Sequence, residues 1–144
     1  MADGSFVYAT YICSTPQKVW DAITKPDVTR QFWMHTNDSD WKVGSKWDHT
    51  RLDRSEVDVT GKVLESDPPK TLVISWFAPH KIDKPELQSR VRFDISEHKP
   101  GIVKLEVSHT HLMPDVLASI SKGWPQVLAN MKTLLETGKA VEMW

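Results

Sequence analysis

Hydrophobic and polar positions change period twice along this chain. Phe6 to Cys13 is rich in aromatic and β-branched residues and predicts a strand. Ser14-Thr15-Pro16 follows, a hydroxyl cap with proline at the first helical position. Val19, Trp20 and Ile23 then fall on one face of a short helix. Lys25-Pro26-Asp27 breaks that helix and opens a second, ending near Phe32-Trp33. After a turn at Val43-Gly44-Ser45 the pattern becomes two-fold. Ser45 to Arg51 predicts a strand, and Glu56 to Leu64 alternates, with Val57, Val59, Gly61 and Val63 on one face. Asp67-Pro68-Pro69 turns the chain into a strand over Thr71 to Phe77, and Pro79 to Pro85 reads as a polar loop. Ser89 to Glu97 places Val91, Phe93 and Ile95 inward, and Ile102 to Leu112 does the same with Val103, Leu105 and Val107.

From Asp115 to Thr137 the period becomes helical. Ile120, Trp124, Val127, Leu128, Met131, Leu134 and Leu135 form one apolar stripe, and Gly138 supplies a stop. Pro125 lies inside the stripe and predicts a kink or a fresh start there. The order is strand, two short helices, several antiparallel strands, one long helix. An antiparallel sheet with one polar face must cover the other, and only the last helix is long enough to do so. The expectation is therefore an α+β chain, residues 1–144 as one domain, with a curved sheet gripped by its C-terminal helix over a cavity.

Composition narrows the function classes. Lys and Arg number 18 against 19 Asp and Glu, so a nucleic-acid partner is not expected. No apolar run reaches the roughly 18 residues of a membrane span, and the start lacks the pattern of a secretory signal. The lone Cys13 excludes an internal disulfide, fits a reducing cytoplasmic setting, and is expected as a buried structural thiol. Aromatic usage is skewed, with 7 Trp against 4 Phe and 2 Tyr. Each indole brings a large apolar face and one N–H that needs a partner, which suits a ligand cavity as well as a core.

Several strings carry a resemblance. They are Thr15-Pro16-Gln17-Lys18-Val19-Trp20-Asp21-Ala22-Ile23-Thr24, Thr29-Arg30-Gln31-Phe32-Trp33, and Ser39-Asp40-Trp41-Lys42-Val43-Gly44-Ser45-Lys46-Trp47. Gly61 to Glu65, Leu105 to His109, and Gly123-Trp124-Pro125-Gln126-Val127-Leu128 with Leu134 to Gly138 complete them. Together they resemble the SRPBCC superfamily of START-like and Bet v 1-like helix-grip domains. Within it the chain is similar to the group named after the C-terminal domain of the heat-shock-protein-90 ATPase activator. The resemblance spans nearly the whole chain and implies the helix-grip fold. It implies less about activity, since such folds serve lipid binders, hormone binders and polyketide cyclases. The co-chaperone behind the group's name carries a further N-terminal domain with no counterpart in these residues, so co-chaperone activity is not the leading expectation.

The leading expectation is binding of a small hydrophobic or amphipathic molecule, without catalysis, between sheet and C-terminal helix. Trp33, Trp47, Trp76, Phe93, Trp124, Leu128 and Met131 would supply apolar walls. His49, His109 and His111 would supply polar contacts; the last two are spaced to share the inward face of a strand. His109 also matches a strand histidine that recurs in the resembled group. A metal site is not expected from these histidines, nor any cofactor, because no complete ligand set stands out. The alternatives are a cyclase- or hydrolase-like enzyme using the cavity histidines and a chaperone-associated interaction module. Asp48, Asp58, Asp94 and Glu106 alternate to the outer face, which leaves such an enzyme few inward carboxylates. Arg90 and Arg92 share an outer face, read as solvated and cross-paired rather than as a carboxylate clamp. A homodimer is compatible with the sequence, which carries no specific dimer signal.

Overall fold

The computed structural model describes residues 2–144. In order the elements are β1 (Gly4–Cys13), α1 (Pro16–Thr24), α2 (Pro26–Phe32), β2 (His35–Asp38), β3 (Lys46–Arg51), β4 (Glu56–Asp67), β5 (Thr71–Trp76), β6 (Ser89–Lys99), β7 (Ile102–Leu112) and α3 (Pro114–Thr137). Two single 3-10 turns, Pro79–Lys81 and Pro85–Leu87, structure the loop between β5 and β6. The seven strands form one antiparallel sheet in the order β1-β7-β6-β5-β4-β3-β2, curled as a half-barrel in the helix-grip manner.

Local chemistry sets most boundaries. Thr15 Oγ1 accepts the Lys18 N–H at 3.3 Å, and Pro16 opens α1. Lys25 ends α1, its N–H donating to the Asp21 carbonyl, and Pro26 starts α2, as a residue with fixed φ and no N–H should. Gly138 closes α3 at φ 86°, donating to the Leu134 carbonyl at 2.8 Å. Pro125 neither breaks nor restarts α3, which runs as one helix of 24 residues. Strand β2 has no counterpart in the sequence reading. Its His-Thr-Asn-Asp string has no apolar alternation and is strand only because it pairs with β3.

The core lies between the concave sheet face and the second half of α3. Val91, Phe93 and Ile95 of β6 and Val103, Leu105 and Val107 of β7 are buried against Trp124, Leu128, Met131 and Leu134. The first half of α3 differs: among residues 114–123 none is fully buried, although Val116, Leu117 and Ile120 are apolar. That half packs more loosely, with Ile120 at the margin of the core and Leu117 beside Gly4 of β1.

Two side chains of α3 also close the free edge of β1. Lys132 Nζ donates to the Tyr11 carbonyl at 2.6 Å, and the Cys13 N–H donates to Glu136 Oε2 at 2.8 Å. An exposed strand edge would otherwise offer unpaired groups to another chain. Cys13 itself is exposed, not buried, because Ile12 takes the last inward position of β1.

Candidate functional site

Two β-bulges build the site. Between β3 and β4 the register runs His49 opposite Val59 and then Thr50 opposite Val57, so Asp58 is the extra residue. Asp58 therefore leaves the outer face predicted for it and reaches His35 Nε2 at 2.9 Å. Val57, expected inward, is 38% exposed as a result. Between β1 and β7 the register runs Phe6 opposite His109 and then Gly4 opposite Leu112. His111 falls in this second bulge at φ 59° and turns outward, while Leu112 takes the buried place. The expected pairing of His109 and His111 on one inward face is thus overturned by one irregular step.

His109 is buried, and both ring nitrogens have protein partners. Trp124 Nε1–H donates to Nδ1 at 3.0 Å, which fixes the Nε2–H tautomer, and Ser89 Oγ lies 2.8 Å from Nε2. Ser89 Oγ–H donates onward to the Trp76 carbonyl at 2.6 Å. Burial lowers the His109 pKa to about 3, so the ring is neutral at physiological pH. It acts as a strut between β6, β7 and α3.

A second polar chain crosses the sheet edge. His35 Nδ1 lies 3.0 Å from the Trp33 carbonyl and its Nε2 2.9 Å from the Asp58 carboxylate. Both partners are acceptors, so only a ring carrying both protons satisfies the geometry. The His35 ring stacks on His49 at 4.0 Å, 6° from parallel. His49 Nδ1 donates to Asn37 Oδ1 at 2.6 Å, and Asn37 Nδ2 donates to the Ile23 carbonyl at 2.8 Å. Burial first, and the His35 charge second, push the His49 pKa well below its usual value. Among the described residues His49 Nε2 has no hydrogen-bond partner. Among the described residues no three His, Cys, Asp or Glu side chains converge as metal ligands.

Indole rings fill much of the space predicted as a cavity. Trp76 packs within ring-centre distances of 5.4 Å from Trp47, 5.6 Å from Trp124 and 6.5 Å from Trp33. Trp47 Nε1–H donates to the Ser75 carbonyl at 2.7 Å. Gly61 makes this bond geometrically available, since any Cβ there would strike the Ser75 carbonyl and the Trp47 ring nitrogen. Among the described residues the N–H groups of Trp33 and Trp76 have no acceptor, unlike those of Trp41, Trp47, Trp124 and Trp144.

Open space survives beside the first half of α3, as a trough of three adjoining openings. The largest, about 240 Å³, is lined by Asp58, Trp76, Phe77, Lys81, Ser89, His111, Met113, Val116 and Ile120, among others. A middle one of about 90 Å³ lies among Trp33, Trp76, Ile120, Gly123, Trp124 and Val127. The last, about 190 Å³, runs past His35 and Arg51 to Trp144. Of the ten expected ligand residues, the trough is bordered by Trp33, Trp76, Trp124 and His111. Trp47, His49, Phe93, His109, Leu128 and Met131 are buried behind it. Sequence reasoning missed His35 and Asn37, polar residues outside any periodic pattern, Ser89, a polar residue at the first inward position of β6, and Asp58, whose position depends on a bulge that alternation does not announce. The outer face behaves as expected at Arg92, which meets Glu65 at 3.5 Å and Asp94 at 3.0 Å.

Residues 14–136 match the family described as Activator of Hsp90 ATPase homolog 1-like protein. The chain belongs to that family. A Mesorhizobium loti protein of solved structure is 28% identical, with a TM-score of 0.77 over 92% of this chain and 96% of its own. An HSP90 activator from Plasmodium falciparum is 21% identical, with a TM-score of 0.76 over 91% of this chain and 95% of its own. The Aha1 dimer from Colwellia psychrerythraea is 22% identical, with a TM-score of 0.75 over 95% of this chain and 99% of its own. No curated protein matches the sequence. Among the described residues no helix is long and apolar enough to cross a membrane.

Proposed function

We propose that this family member binds a small amphipathic molecule in the trough beside α3, without chemistry on it. The observation that carries the reading is the pair of bulges. They bring Asp58 and His111 to one mouth whose other walls are Trp76, Phe77, Met113 and Ile120. Bulges commonly re-aim side chains next to functional sites. The free N–H of Trp76 supplies a donor at an apolar wall. Trp33, Trp76, Trp124 and His111 are the proposed contacts. Trp47, His49, Phe93, His109, Leu128 and Met131 form the frame that holds them. A cytoplasmic setting belongs to the same reading, supported by the lone thiol.

The size of the mouth bounds the ligand. At about 30 Å³ per water, 240 Å³ matches roughly eight waters, or a ligand of about ten non-hydrogen atoms. Burying about 150 Å² of apolar surface would contribute roughly 4 kcal/mol, which alone is millimolar binding. A hydrogen bond to Trp76 or Asp58 would add about 1 kcal/mol or more. Native mass spectrometry of freshly purified protein tests for a copurified molecule. Titration of tryptophan fluorescence with short-chain and aromatic acids and amines tests for a saturable site. No copurified molecule and no saturable quenching across that panel would refute the proposal.

Family membership supports a second reading, an interaction module that works beside a chaperone. The dimeric Colwellia relative likewise supports self-association. Sedimentation of the purified chain, alone and with an Hsp90-type ATPase, separates both from a free-standing binder.

A further inference from the structure

The convex face of the sheet, opposite the trough, carries a row of cations. Lys46 of β3 stands directly opposite Lys62 of β4, and Ser75 of β5 directly opposite Arg90 of β6. The Lys62 N–H donates to Ser75 Oγ at 2.8 Å and joins the two pairs into one line across four strands. Three strand spacings of about 4.8 Å give the row a length of about 14 Å. Like charges directly opposite each other in a sheet are destabilising. Lys46 has partial relief from Asp48 at 3.5 Å. Among the described residues Lys62 and Arg90 make no ion pair. Arg92, two residues further along β6, is by contrast matched to Glu65 and Asp94.

The row lies in a groove of about 570 Å³ that no carboxylate lines. One wall is the Pro79–Leu87 loop. Gln88 Nε2–H groups hold that loop by donating to the Lys81 and Ile82 carbonyls, both at 3.1 Å. Ile82, at the groove side of the loop, is 60% exposed. We propose that this groove docks an acidic peptide segment of a partner protein, laid across the strands with carboxylates on Lys62 and Arg90 and an apolar side chain against Ile82. A span of about 14 Å is roughly four residues of extended chain at about 3.3 Å each, longer than a compact single-carboxylate metabolite. The lack of a basic surplus on the chain argues against a nucleic acid as occupant.

The test is fluorescence anisotropy of a labelled peptide of alternating Glu and Leu, at low salt, with its Gln-for-Glu counterpart as control. The expected result is binding of the Glu peptide only, weakened about tenfold by the double variant K62Q/R90Q and abolished near about 0.5 M salt. R92Q, whose charge is already matched, should leave binding unchanged. All three positions lie on the outer face, and circular dichroism checks that the variants fold. No binding of the Glu peptide, equal binding of the Gln peptide, or full affinity in K62Q/R90Q overturns the proposal. So does binding to phosphatidylserine vesicles in place of the peptide, which would make the row a lipid-surface contact.

Discussion

Acidification should destabilise this protein well before its carboxylates titrate, and His109 is the place to see it. The ring is buried, neutral, and accepts the Trp124 N–H on Nδ1, so a proton there removes an acceptor as well as adding a buried charge. Its pKa falls from 6.5 in the unfolded chain to about 3 in the fold. A depressed histidine pKa means the unfolded state binds more protons below 6.5, so stability drops as pH falls through that value and levels off only near the folded pKa. In the window between about pH 4.5 and 6, each such histidine should contribute a slope of roughly 1.4 kcal/mol per pH unit. His49 shares the direction. Urea unfolding followed by tryptophan fluorescence at several pH values gives the slope. His109→Gln should lower stability overall and flatten the slope by about 1.4 kcal/mol per unit. Parallel slopes for the two proteins would refute the argument. An NMR titration in which the His109 ring protonates near neutrality would refute it independently of how well the variant folds.

Three further outcomes follow from the packing. Gly61→Ala should fail to fold or lose more than about 3 kcal/mol by thermal denaturation, because the new Cβ meets the Ser75 carbonyl and the Trp47 ring nitrogen. Trp124→Phe should cost roughly 2–4 kcal/mol in urea unfolding, from lost ring volume and a donorless His109. Asp58→Asn should cost only about 1 kcal/mol in the same assay, since its carboxylate is partly solvated, while shifting the His35 ring resonances in NMR spectra.

The fold was largely legible because period and punctuation agree. Pro16, Pro26 and Gly138 mark helix ends that the structure keeps, and the alternation of β6 and β7 names the buried residues in advance. Legibility stopped where a tertiary partner or a single irregular residue decides. Strand β2 exists through β3, with no internal pattern of its own. Bulges at Asp58 and His111 exchange inside for outside, so simple alternation misplaced both, and they are the residues that shape the mouth. Alternation places the tryptophans on the concave side without saying how many of them line open space. Trp33, Trp76, Trp124 and Trp144 border the trough, while Trp47 is spent on a backbone carbonyl and sealed. A strand-face argument counts side chains pointing inward and carries no information on whether they meet in the middle.

The division of α3 at Trp124 has a consequence for how this protein can change. Residues beyond it anchor the helix to the sheet, and residues before it border open space. Substitutions at Val116 and Ser119 alter the shape of the mouth while disturbing little of the packing that sustains the fold, and conservative ones at Ile120, which also touches the core, do so at a modest cost. Under the proposed function, ligand preference would be separable from thermodynamic robustness along a single helix. A library confined to those three positions would vary the shape of the mouth while most of its members stay folded.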